Sequence, residues 1–304
     1  MKNKKFILGI AASLGAYVIW GFSFMASKVC QGHTSPFVLL AYRFDIALLL
    51  LSIPLLTGKR KLQLKGKNIL PLLLLGTCEP CLYFIGEQYG LRYTNSSFSG
   101  VMIAVIPIVT LLLAAVFLKD RPGKAQWAFS LLSIAGIIVI TLSEKNEGEL
   151  TFAGVMFLLL AVIAGASYTV VSRGISDSFS VFERTYFVQL MGGVFFTALA
   201  LIENRADPAA IITPLNNGDF ILAVLYLAVM ASVVSYTLYN YAVSNAPVAN
   251  VVSFCNLTTV ISVAAGVVFF DEPFSALSAA AIVAVLAGIW GVQKYSPQNG
   301  TETT

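Results

Sequence analysis

The chain has 304 residues, 58% of them hydrophobic and only 11% charged, with a formal net charge of +4. Soluble domains run at about 45–50% apolar and about 25% charged residues. The apolar surplus therefore excludes a water-soluble globular protein and points to lipid as the solvent, where about 20 apolar residues make one helical span.

Lys2, Lys4 and Lys5 have the look of a signal-peptide n-region, but the apolar stretch that follows, 6–29, is longer than the roughly 7–15 residues of an h-region. It reads as the first span, and Ser13, Tyr17, Trp20 and Phe24 follow i, i+4, i+7, i+11 along one face. The second span, 36–57, holds Arg43 and Asp45, which lie about 200° apart around a helix and so cannot pair with each other. Arg43 must face the protein interior, either against Glu79, Glu87 or a substrate carboxylate, or in a structural ion pair. Asp45 is a candidate second acid for coupling.

The third span, 68–91, is the richest in ionisable groups. Each charged residue inside a span costs about 2.5–3.5 kcal/mol on insertion scales, so such residues are functional candidates by default. Glu79, Tyr83 and Glu87 are spaced i, i+4, i+8 on one helix face. Pro80 has no N–H for the Gly76 carbonyl, so a kink is expected beside Glu79. Glu79 can serve as a proton- or cation-coupling site, as the anchor of a substrate amine, or as an acid bonded to a neighbouring helix. Cys78 and Cys81 form a C-x-x-C, yet no second Cys/His pair completes a metal site and the sole histidine, His33, is in a loop. The pair reads as buried small residues. Gly86 and Gly90 form a G-x-x-x-G suited to close helix packing.

The remaining spans are 95–118, with Pro107 at its middle, 125–143, 151–172, 182–202, interrupted by Gly192-Gly193, 219–243, 248–270 and 275–293. Ser167 and Tyr168 mark the sixth, and Ser232, Tyr236, Tyr239 and Asn240 form a stripe on the eighth. Ser253, Asn256 and Thr259 recur every three residues on the ninth. Hydroxyls of this kind also bond helix to helix, and Tyr239 or Tyr241 also fits an interfacial belt. Lysine and arginine crowd the connections on the N-terminal side of the bilayer, including Lys59, Arg60, Lys61, Lys65, Lys67, Lys119 and Lys124. The positive-inside rule then puts both termini in the cytoplasm of a multi-pass, bacterial-type inner-membrane protein.

Placing Gln88–Val139 on Asn240–Gly291 without a gap aligns Tyr89 with Tyr241, Val116-Phe117 with Val268-Phe269, Asp120 with Glu272, and Ala135-Gly136-Ile137 with Ala287-Gly288-Ile289. Two halves of five helices follow. The odd number inverts the second half in the membrane, an architecture that puts solute sites near the midplane between the halves. The expected fold is an all-α membrane protein of about ten transmembrane helices. Its parts are a first repeat over 1–147, a second over 148–295 and a polar tail over 296–304.

Trp20-Gly21-Phe22-Ser23-Phe24, Arg43-Phe44, Pro107 followed by Phe117-Leu118-Lys119-Asp120, and Phe269-Phe270-Asp271-Glu272-Pro273 occur in this order along the chain. Together they resemble the drug/metabolite transporter superfamily, EamA type. Lys119-Asp120 departs from that family's Gly-Glu, and Thr259 from its second-half proline. The resemblance implies a five-plus-five inverted repeat around a central cavity and export or exchange of metabolites, with substrates from amino acids to drugs.

The chain carries no H-E-x-x-H, P-loop or G-x-S-x-G, which argues against an intramembrane enzyme and against direct use of ATP. A secondary transporter, an exporter of amino acids, related metabolites or drugs, is the first reading; a non-transporting receptor or helper is the alternative. The residues expected to bind substrate or couple transport are Trp20, Arg43, Asp45, Glu79, Tyr83, Glu87, Tyr168, Tyr236, Tyr239, Asn240 and Asn256. Expected partners are a small-molecule solute, the lipid bilayer, and protons or another coupling ion. A homodimer is allowed, and no cofactor, metal or nucleic acid is expected.

Overall fold

A computed structural model describes residues 2–94, 96–120, 122–143, 151–270 and 275–295. They form ten long helices: α1 (Lys2–Gln31), α2 (Pro36–Leu56), α3 (Leu70–Arg92), α4 (Ser99–Leu118), α5 (Lys124–Ser143), α6 (Phe152–Gly174), α7 (Val181–Glu203), α8 (Gly218–Asn245), α9 (Val248–Phe269) and α10 (Ala276–Lys294). Among the described residues nine are long and apolar enough to cross a membrane, and the apolar part of α5, Lys124–Ile140, is shorter. Large apolar side chains remain exposed along the outside, as at Val116, Phe152 and Leu222. Such a surface is stable only against lipid. The molecule is an all-α, multi-pass membrane protein.

Polar caps start the helices. The Ser35 hydroxyl accepts from Val38 N–H, Thr151 from Gly154 N–H and Asn217 from Phe220 N–H, while Ser180 and Glu183 form a reciprocal capping box on α7. Each cap satisfies an N–H that has no partner inside its helix.

Four of the long helices are not regular. α4 is interrupted at Val105 and widens over Ala114–Leu118. α3 breaks at Glu79, whose backbone is extended (φ −141°, ψ 120°), within a wide turn over Thr77–Leu82. α8 opens into a wide turn over Leu227–Val234, and α9 tightens over Ser253–Asn256. Irregular backbone at membrane depth needs partners inside the protein. At the α8 turn, the Ala231 carbonyl accepts from Trp20 Nε1 at 2.9 Å and the Ser232 carbonyl from Gln189 Nε2 at 3.3 Å.

The helices pack in a repeating scheme. α1 lies against α8 and α9, α6 lies against α3 and α4, α2 pairs with α7, and α5 pairs with α10. Glycines set the closest approaches. In α5, Gly136 faces Ala281 and Val285 of α10, and in α10, Gly288 faces Phe129 and Ser133 of α5. In the alignment of the two halves, Gly136 falls on Gly288, Phe129 on Ala281 and Ser133 on Val285. The seam is therefore reciprocal: each glycine touches the counterparts of the residues that the other touches.

The connections fall at two ends. At the end carrying Lys59–Lys67, called the basic end below, Gln63 N donates to Glu183 Oε1 at 2.6 Å and Lys67 Nζ to the Ser178 carbonyl at 2.7 Å. At the opposite end, Thr151 Oγ1 donates to the Tyr93 carbonyl at 2.8 Å and Tyr42 OH to the Ile211 carbonyl at 2.9 Å. The Asp271-Glu272-Pro273 part of the repeat motif and the 296–304 tail lie outside the described residues.

Candidate functional site

A cavity of about 470 Å³ lies between the α1–α8–α9 and α3–α4–α6 groups, with α2 along one side. Exposed Lys28 and Gln31 stand among its lining residues, so it opens at the end opposite the basic one. Its volume suits a small organic solute.

Its floor is aromatic. Trp20 meets Tyr17 at 5.3 Å, Tyr236 at 5.4 Å and Tyr239 at 5.3 Å between ring centroids, mostly edge to face. Tyr17 and Tyr239 meet edge to face at 5.7 Å. The bond from Trp20 Nε1 to the Ala231 carbonyl fixes the indole, and that carbonyl is available because α8 widens there.

Three ionisable side chains join this wall. Glu79 Oε1 accepts from Tyr236 OH at 2.6 Å, and Glu87 Oε1 accepts from Tyr83 OH at 3.0 Å. Arg43 Nε donates to Ser232 Oγ at 2.8 Å, and its guanidinium lies over the rings of Phe44 and Phe84 at 5.4 and 5.2 Å. Arg43 is 5% exposed, yet among the described residues it forms no ion pair and its two terminal nitrogens have no protein partner. Each charged group is thus held by one neutral hydrogen bond and presents its remaining atoms to the cavity.

Of the residues singled out from the sequence, Trp20, Arg43, Glu79, Tyr83, Glu87, Tyr236 and Tyr239 line this cavity together. The other four stand elsewhere. Asp45 turns to α7, where its Oδ2 accepts from Thr197 Oγ1 at 2.6 Å and its other oxygen rests against Gly193. Tyr168 and Asn240 lie beneath the floor, bonded to each other at 3.2 Å. Asn256 Nδ2 donates to Ser133 Oγ at 3.0 Å, behind the wall. Tyr239 is buried against Tyr17 and Trp20, so the interfacial-belt reading of that residue is corrected. Cys78 and Cys81 are free and buried, and Cys81 Sγ points to the Met191 carbonyl.

The sequence reading passed over lining residues such as Phe84, Lys28, Gln88 and Cys255. Arg184, which by position belongs with the cations of the basic end, is wholly buried. Gln88 was visible in the repeat alignment as the counterpart of Asn240. Nothing in local composition distinguishes Arg184 from the basic residues around it.

A bundle of apolar spans around a central, partly charged cavity is the architecture that a membrane transporter needs. Residues 7–142 and again 152–293 match the EamA-like transporter family, and the chain belongs to it. It is 33% identical over 285 residues to the "Uncharacterized transporter YcxC" of Bacillus subtilis (strain 168), covering 93% of this chain and 91% of that one. It is 23% identical over 271 residues to an "Uncharacterized transporter" of Archaeoglobus fulgidus, covering 89% and 93%. A solved crystal structure shares the fold with a TM-score of 0.79 at 18% identity, covering 99% of this chain and all of that one. The protein is a transporter of the drug/metabolite type, not an enzyme, and it moves a small solute in a lipid environment.

Proposed function

We propose that the protein is a secondary transporter that exports small metabolites of the amino-acid type, binding them in the central cavity and releasing them by alternating access. The carrying observation is the set of incomplete charges on the cavity wall. Arg43 offers a two-nitrogen fork, the geometry that takes a carboxylate. Glu79 and Glu87 each keep an oxygen for a cation, and the aromatic floor favours an ammonium by cation–π attraction. A solute carrying both charges completes both.

The two halves, 1–147 and 148–295, act as inverted repeats in this reading. The reciprocal glycine contacts of the α5–α10 seam support it, as does the double family match. The basic end faces the cytoplasm by the positive-inside rule, so both termini are cytoplasmic in a bacterial-type inner membrane and the cavity opens outward. Protons reaching Glu79 or Glu87 couple transport, with Asp45 as a further acid off the solute path.

The test is a thermal-shift screen of solutes on purified wild type and Glu79→Gln. A ligand that binds only the folded state raises apparent stability by mass action. An amino acid that stabilises wild type and not Glu79→Gln supports the site. Equal stabilisation of both proteins removes Glu79 from it.

A further inference from the structure

Beneath the aromatic floor lies a second buried cation that the solute site does not use. Arg184, in the first turn of α7, is 0% exposed. Its Nη1 donates to the carbonyl and the hydroxyl of Ser172 at 2.9 and 2.7 Å, and its Nη2 donates to the Asn240 carbonyl at 3.0 Å and to the Ser244 hydroxyl. The Asn240 side chain closes the cluster. Its Oδ1 accepts from Ser172 Oγ at 2.7 Å and Tyr168 OH at 3.2 Å, and its Nδ2 donates to Thr185 Oγ1 at 3.1 Å. One guanidinium thereby ties α6, α7 and α8 together.

The position matters because α6 and α8 belong to the two groups that flank the cavity. The cluster closes the gap between them on the side of the basic end. Above it, Tyr168 stacks on Tyr239 at 5.9 Å, and Thr169 and Tyr239 share a 2.6 Å hydrogen bond at the floor. Toward the basic end, Arg173 Nη1 donates to the Val243 carbonyl at 2.7 Å.

Among the described residues Arg184 has no carboxylate partner, and its Nε is buried without any hydrogen bond. All its acceptors are neutral, and two are carbonyls within the last two turns of α6 and α8, where the helix dipole favours a cation. Neutral acceptors hold a guanidinium more weakly than carboxylates do, and water reaching the cluster would rehydrate the charge and satisfy Nε. A hydrated alternative that also bonds Nε is thereby open to the cluster when the helices separate. The opposite end supplies the contrast. Gln88, the counterpart of Asn240 in the repeat alignment, lines the cavity and has no hydrogen-bond partner among the described residues.

We propose that the Arg184–Ser172–Asn240–Ser244 cluster is the latch that shuts the basic end of the solute path and separates when the cavity opens there. The proposal rests on the transporter reading. The test follows thiol accessibility of Cys255, which lines the cavity, in full-length protein with Cys30, Cys78 and Cys81 replaced by alanine. Membrane vesicles of both orientations are treated with a charged, membrane-impermeant maleimide, and solute flux is read in the same vesicles. Wild type should label from the open end and slowly from the basic end. Arg184→Gln should label from the basic end about tenfold faster, and Ser244→Ala, which removes one neutral acceptor, about threefold faster. Unchanged basic-end labelling in the folded variants overturns the latch. If Arg184→Gln does not fold, Ser244→Ala decides alone. Faster labelling with no flux of any solute in wild type would defeat the transporter reading, whereas flux with unchanged labelling would defeat the latch alone.

Discussion

α2 and α7 pack on each other, and each buries an arginine, but the two side chains are used in opposite ways. Arg43 spends only Nε on the protein and turns its fork to the cavity. Arg184 spends both terminal nitrogens on four neutral acceptors and leaves Nε unbonded. Burial does not separate them, since one is 5% and the other 0% exposed. What separates them is which nitrogens the surrounding helices have already taken. A free fork can bind a solute; an occupied one can only hold helices together.

The sharpest way to break this comparison is Arg43→Gln. Losing a charge-assisted, two-point contact should weaken solute affinity by about 100-fold, on the order of 3 kcal/mol, measured by equilibrium binding. Arg43→Lys should restore part of it as a point charge without the fork. If Arg43→Gln binds as wild type does, the fork is not the carboxylate site.

Next in size is the α5–α10 seam. A side chain at Gly288 would lie 2.6 Å from the Phe129 carbonyl oxygen. Gly288→Val should cost about 1–3 kcal/mol through overpacking, seen as a lower midpoint of thermal unfolding, with solute affinity in the folded fraction unchanged. A stable Gly288→Val would mean that the seam is not close-packed.

Tyr236→Phe removes the hydroxyl that donates to Glu79. A hydrogen bond to a charged group contributes about 1.5–3 kcal/mol, so solute affinity should shift by at least about tenfold. No shift would detach Glu79 from the floor. The smallest effect is expected at Asp45, which bonds to Thr197 outside the cavity. Asp45→Asn should leave equilibrium affinity within about twofold, the scale of a surface change. A loss as large as that of Arg43→Gln would place Asp45 on the solute path.

Much of this was legible in the sequence. Apolar runs gave the spans, and Pro80 pointed to the irregularity at Glu79. The two-residue spacing of Arg43 and Asp45 foretold their separate faces, one to the cavity and one to α7. Other features needed three dimensions. Glu79 was expected on one continuous face with Tyr83 and Glu87, but α3 is extended at Glu79, and the three meet at the cavity across that break. Asn256 was expected at the site, but the tight turn over Ser253–Asn256 carries it to Ser133. Arg184 was hidden because a cation at a helix end obeys the positive-inside pattern whether it meets water or closes a path.

The most direct test of the account is uptake of an amino acid that stabilises the protein into proteoliposomes preloaded with the same solute, comparing wild type, Glu79→Gln, Arg43→Gln and protein-free vesicles. The account predicts rapid exchange by wild type and loss of at least about tenfold, roughly 1.4 kcal/mol, in both variants, each of which removes one charged end of the site. Exchange by both variants at the wild-type rate would contradict it, because the incomplete charges of the cavity would then have no part in moving the solute.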